Sequence, residues 1–167
     1  MRAAPLDSAR VMEWLHAVPD PEIPVLSVVD LGVVRAVDWQ DGTCVVTITP
    51  TYSGCPAMRE IREDIERVLA SHGLAPVRVE TRLSPAWTTD WMTERGRAAL
   101  KDYGIAAPAE RAIDISGISR RQAMPAIACP RCGSRNTRLI SHFGSTSCKA
   151  LYRCIACHEP FDYFKTH

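Results

Sequence analysis

Val11, Trp14, Leu15 and Val18 recur at helical spacing behind Asp7 and Ser8, either of which can accept a hydrogen bond from the free N–H groups of a first turn. This predicts an opening helix that ends at Pro19. Leu31–Val37 and Thr43–Thr49 are rich in β-branched residues and flank Asp41-Gly42, a dipeptide that tolerates the positive φ angles of a tight hairpin. An antiparallel pair is expected there. Pro56 then opens a long helix whose apolar residues Met58, Ile61, Ile65, Val68 and Leu69 share one face, opposite a charged face of Arg59, Glu60, Arg62, Glu63 and Glu66. Val77, Val79 and Thr81 alternate with Arg78, Glu80 and Arg82, the pattern of a strand with one wet face, and Thr93–Tyr103 reads as a further short helix. The order α-β-β-α-β-α defines a small α+β sandwich with helices on one side of a sheet.

The remaining sequence changes character. Residues 1–128 hold 14 basic and 17 acidic residues, whereas residues 129–167 hold 6 and 2. Between them, GIAAPAERAIDISGISRRQAMPAIA carries prolines and glycines without a sustained period. The predicted organisation is an α+β domain over 1–103, a linker over 104–128 and a metal ribbon over 129–167.

The 167 residues are 46% hydrophobic, enough for one ordinary core, which excludes a disordered chain. The overall charge of +1 argues against a protein that coats nucleic acid or an anionic membrane. Asp7, Arg10 and Glu13 interrupt the first apolar pattern, so no signal-peptide core is present, and no window approaches the roughly 18 apolar residues of a membrane span. A cytoplasmic location is expected.

Five of the seven cysteines lie in the last 39 residues. Cys129-Pro-Arg-Cys132 and Cys154-Ile-Ala-Cys157 are two C-x2-C knuckles separated by 21 residues, with room for two short strands between them. Four thiolates suit a structural Zn²⁺ and leave no position open for water or substrate. An iron in the same ligands would be a redox centre instead. Cys148 is expected to be a free thiol in a loop, and His142 and His158 are not required as ligands. Phe161-Asp162-Tyr163-Phe164 is expected to serve as a surface that docks on a partner.

In the first part, TPTYSGCP ends a strand and leads into a helix, so Cys55 is expected at the N-cap, where the helix dipole would lower its pKa and make it a nucleophile or soft-metal ligand; a cysteine that only satisfies the helix end explains the local pattern equally well. Cys44, on a strand, reads as a buried small hydrophobe. Asp20-Pro21-Glu22 presents two carboxylates that could ligate metal or serve as acid and base, and turn formation explains them equally well. His16 and His72 read as surface or packing residues.

DPEIPVLSVVDLGVVR, TPTYSGCPAM and PAWTTDWMTERGRAALKDYGI, followed by CPRCGS and FGSTSCKALYRCIACHEPFDYFK, resemble the phenylacetate-degradation protein D family, accessory components of the ring 1,2-phenylacetyl-CoA epoxidase system. The first part also resembles the wider iron–sulfur assembly domain family, in which a reactive cysteine matches Cys55 and an acidic pair matches Asp20 and Glu22. The resemblance implies an accessory role in phenylacetate catabolism beside a di-iron oxygenase and a flavin and [2Fe–2S] reductase. The chain lacks the paired Glu-x-x-His motifs of a di-iron four-helix bundle and has no dinucleotide fingerprint, so it is expected to assist that chemistry as a non-enzyme. It would handle iron or a cluster transiently at Cys55, possess a structural zinc in its ribbon, act as a homodimer, and engage the reductase or oxygenase component. Two alternatives stay open: a non-catalytic subunit bridging oxygenase and reductase, and a thiol enzyme using Cys55.

Overall fold

A computed structural model describes residues 7–108 and 126–166 of the protein; most of the expected linker, residues 109–125, lies outside the described residues. The chain divides into two compact units, residues 7–99 and 100–166.

In the first unit, α1 (Ser8–Leu15) begins at Asp7, whose carboxylate accepts the Ala9 N–H at 3.1 Å. The helix stops at Leu15, short of Pro19, and Val11, Leu15 and Val18 are buried. β1 (Val34–Gln40) starts three residues later than the hydrophobic run suggests, because Ser27–Val34 first folds through backbone turns closed by Leu31 N–H to Ser27 O and Val33 N–H to Val28 O. β2 (Thr43–Ile48) returns antiparallel through Asp41 and Gly42, both at positive φ, so the hairpin is as predicted.

α2 (Met58–Ser71) buries Ile61, Ile65 and Leu69 on one stripe. It crosses to β3 (Val77–Thr81), which lies parallel to β2 and pairs Val46 with Val79. The three strands form a sheet in the order β1-β2-β3. Helices α1 and α2 pack together, α1 against β1 and α2 against β3. The core thus sits between the helices and the sheet. A 3₁₀ turn (Thr89–Trp91) leads into α3 (Glu94–Asp102). Cys44 is fully buried on β2, and burial pushes its thiol pKa up, the state expected of a small core hydrophobe.

The second unit is an antiparallel sheet of β4 (Thr137–Ser141), β5 (Lys149–Cys154) and β6 (Pro160–Phe164). Its inner face is built by alternation: Tyr152, Phe161 and Tyr163 are buried, with Tyr152 and Tyr163 edge-on at 5.6 Å. Ala106 and Ile127, from the two ends of the stretch read as a linker, are part of this core. Ala106 donates to Asp162 O and accepts from Phe164 N–H, adding a short parallel bridge. The aromatic tail is therefore not a docking surface: Phe161 and Tyr163 lie in this core, because a unit this small needs its largest side chains inside, and Phe164 is buried too.

Candidate functional site

Two clusters of chemistry stand in separate units. In the second, the C-x2-C turns bring the Sγ atoms of Cys129, Cys132, Cys154 and Cys157 within 4.8 Å of one another. The turns form because Gly133, at positive φ, lets the chain reverse while its N–H bonds to Cys129 O, and Cys154 N–H bonds to Glu159 O across the second knuckle. The Cys129–Cys157 and Cys132–Cys154 sulfurs lie 3.8 and 3.6 Å apart. A disulfide needs about 2.05 Å. Four sulfurs at about 2.3 Å from a central ion, tetrahedrally arranged, stand about 3.8 Å from each other, so the donor set fits a soft tetrahedral cation.

The electrostatics agree. The Cys157 and Ala156 N–H groups, together with the neighbouring thiols, hold the Cys154 thiol down at about 7 against its desolvation. Cys157 goes the other way: although the Glu159 N–H favours its thiolate, desolvation and the adjacent sulfurs push it up to about 12. Crowded thiols cannot all ionise without a cation to neutralise them. Cys148 is buried outside this cluster, with its sulfur 3.0 Å from Thr146 Oγ1, and His142 and His158 are not in it.

The first unit holds Cys55, half-buried between β2 and α2. It is not the N-cap. Tyr52–Cys55 closes a turn, with Cys55 N–H on Tyr52 O at 3.2 Å, and the first helical bond runs from Ile61 N–H to Ala57 O. Ala57 is the N-cap and has no capping side chain. The helix starts two residues later than expected, since Pro56 and Ala57 are still turning when the chain leaves Cys55. The thiol nevertheless accepts the N–H of Ala57.

The expected lowering of the Cys55 pKa is overturned. Burial pushes the thiol up, and the charges of Glu22 and Asp20 push it further; the Ala57 N–H and a hydrogen bond with Tyr52 oppose this without prevailing. Asp20 and Glu22 therefore act on the Cys55 thiol through space, although 32 residues of chain separate Glu22 from it. Asp20 is buried, and its Oδ1 accepts the N–H groups of Glu22 at 3.0 Å and Ile23 at 2.8 Å. That turn locks the acidic pair in place. Among the described residues, the group of three or more His, Cys, Asp or Glu side chains close enough to hold one metal ion is the four ribbon cysteines; Cys55, Asp20 and Glu22 do not form such a group.

Sequence reasoning missed two features here. Tyr52, three residues before Cys55 in a Gly-containing turn, reaches the thiol. Asp30, which ends the apolar run IPVLSVV, is only 7% exposed and gathers Ser27, Thr93 and Arg95. Ser27 Oγ and Thr93 Oγ1 each donate at 2.8 Å, and Arg95 bonds both carboxylate oxygens at 2.8–3.2 Å. Although burial pushes the Asp30 pKa up, these donors hold it below the usual range. His16, read as a surface residue, lies at the edge of this group, 3.2 Å from Ser27 Oγ. The lone carboxylate after an apolar run was the available signal.

Residues 8–81 match the family described as iron-sulfur cluster assembly protein, and residues 115–165 match the PaaD zinc beta ribbon domain. The fold and the cysteine cluster thus define an iron–sulfur assembly type of α+β domain joined to a zinc ribbon domain. A domain of unknown function, DUF59, from Bacillus anthracis has the same α+β fold, with a TM-score of 0.52 and 29% identity over 56% of this chain and 90% of that one. The chain belongs to the family of the D component of 1,2-phenylacetyl-CoA epoxidase: it is 48% identical, over 97% of its length and 94% of the relative's, to the Escherichia coli (strain K12) protein that carries that component's name. It is also 38% identical, over 54% of its own length and 87% of the relative's, to an Fe-S protein maturation auxiliary factor of Porphyromonas gingivalis. Among the described residues no helix is long and apolar enough to cross a membrane.

Proposed function

We propose that this protein is a non-catalytic accessory factor of a phenylacetyl-CoA epoxidase system, and that Cys55, with Asp20 and Glu22, transiently holds iron or an iron–sulfur cluster on its way to the reductase component. The observation that supports this reading is that the charges of Asp20 and Glu22 act on the half-buried Cys55 thiol. A soft anionic sulfur and two hard oxygens bind iron without closing its coordination sphere, and an unfinished sphere is what allows transfer onward. A cation would also reverse the pressure on the thiol: beside Fe²⁺ the carboxylates become fellow ligands, and the sulfur ionises. The four ribbon cysteines Cys129, Cys132, Cys154 and Cys157 hold a structural zinc, which stabilises a unit too small to rely on its apolar core. A homodimer would supply two Cys55 thiols to one cluster.

The test is iron and acid-labile sulfide per reductase, purified from cells that express the system with this protein intact, absent, or carrying Cys55→Ser. Loss of cluster in both altered strains supports the carrier. Full occupancy in all three refutes it. A second reading, a bridging subunit that never handles iron, is favoured by the raised pKa of Cys55, which keeps the metal-free thiol protonated. It predicts a stable complex of oxygenase, reductase and this chain on size-exclusion chromatography, with Cys55→Ser co-eluting unchanged.

A further inference from the structure

Phe161 and Tyr163 of the aromatic tail are spent in the ribbon core, and Phe164 is buried as well, so a recognition surface on this unit has to be made by other side chains. The register sets Arg138 of β4 directly opposite Arg153 of β5. Directly opposed like charges destabilise a strand pair, and nothing nearby compensates. The two carboxylates between residues 126 and 166 are already engaged, Glu159 by Arg131 and Asp162 by Lys149 and Ser145. Among the described residues, neither Arg138 nor Arg153 has an ion pair or side-chain hydrogen bond.

Two apolar side chains further along the same segment are exposed. A β-bulge between Leu139 and Ser141 inserts Ile140 as an additional residue, and it stands 48% exposed. Phe143, in the loop joining β4 to β5, is 67% exposed. That loop is braced rather than loose. Phe143 N–H bonds to Ser141 Oγ at 3.1 Å, Gly144 N–H to Lys149 O at 2.8 Å, and Lys165 Nζ to His142 O at 3.2 Å while lying 4.8 Å from the Phe143 ring centroid. A rigidly presented aromatic loses little conformational freedom on binding, which makes it an effective anchor.

We propose that Arg138, Ile140, Phe143 and Arg153 form a docking surface for an acidic segment of a partner protein, with carboxylates neutralising the arginine pair and interspersed apolar side chains packing on Ile140 and Phe143. Nucleic acid fits less well. Ile140 cannot stack on a base, and the few basic residues left unpaired in this unit fall short of the roughly six to ten phosphate contacts that dominate such binding. The surface goes beyond the thiol reading and does not depend on it.

Full-length, zinc-loaded protein would be titrated, by fluorescence anisotropy, against three labelled probes: a short peptide of Glu-Glu-Leu repeats, the same peptide with Gln for Glu, and a single-stranded DNA oligonucleotide. The expected order is Glu peptide tightest. Arg138→Glu with Arg153→Glu should weaken it by about tenfold or more while leaving the Gln peptide unchanged. Phe143→Ala should weaken both peptides, and Cys55→Ser neither, which separates this surface from the carrier role. Zinc content and far-UV circular dichroism verify folding, with Arg138→Gln and Arg153→Gln as milder replacements. The proposal is overturned if charge reversal leaves Glu-peptide binding intact, if DNA binds more tightly than the Glu peptide, or if the same variants dissociate a homodimer, since the occupant would then be a second copy.

Discussion

Gly32 offers the sharpest test of the packing in the first unit. It sits at φ +77°, and a Cβ there would meet the carbonyl oxygen of Trp91 at 2.5 Å and its carbonyl carbon at 2.8 Å. The Trp91 segment has nowhere to go, because Trp87 Nε1 is bonded to Leu31 O at 3.1 Å and Thr93 N–H to Asp30 O at 2.9 Å, one on each side of the contact. Gly42 supplies the control: it has φ +80° and open space around it. Gly42→Ala should cost only the left-handed conformation, about 1–2 kcal/mol. Gly32→Ala adds displacement of packed backbone, about 1–3 kcal/mol more. All four tryptophans lie within residues 7–99, so intrinsic fluorescence during urea unfolding follows this unit. With an m-value of about 1–3 kcal/mol/M, the midpoint of Gly32→Ala should fall below that of Gly42→Ala by about 1 M. Coincident midpoints would refute the claim that the Asp30–Gly32 turn is clamped against Trp91.

Three further outcomes are expected. Chelation of the ribbon metal should abolish the order of β4–β6, read as loss of amide-exchange protection between residues 127 and 164, while tryptophan fluorescence of the first unit stays native. Asp30 has a depressed pKa, so its contribution is fully present above the unfolded value of about 3.9 and disappears as pH falls through the folded one; Asp30→Asn should lower stability at pH 7 by about 1.5–3 kcal/mol and flatten the acid limb of the stability–pH curve. The raised Cys55 pKa predicts slow alkylation of Cys55 at pH 7, measured by peptide mass spectrometry on metal-loaded ribbon, with the rate rising on the alkaline side of an ordinary thiol; Glu22→Gln should shift that midpoint down, and an unchanged midpoint would place Glu22 too far away to matter.

What was legible in the sequence is what depends on near neighbours along the chain. Asp41-Gly42 specifies its hairpin because only a few residues tolerate two successive positive φ angles. Ile61, Ile65 and Leu69 specify the buried stripe of α2 through the helical repeat alone, and each C-x2-C pair is a turn-sized unit whose donor chemistry is intrinsic to the thiols. Tertiary structure decided the rest. Alternation in β3 reveals a period of two but neither its partner nor its direction, and it is the α2 crossover that lays β3 parallel to β2. The run Phe161–Phe164 reads equally as anchor or core, and the small size of the ribbon puts Phe161 and Tyr163 inside. The charges of Asp20 and Glu22 act on Cys55, and Arg95 reaches Asp30, only after folding. Burial and Coulomb interactions act through space, so the direction of the Cys55 shift could not follow from its position at a helix entrance: it is set first by water excluded from around the thiol and then by carboxylates distant in sequence.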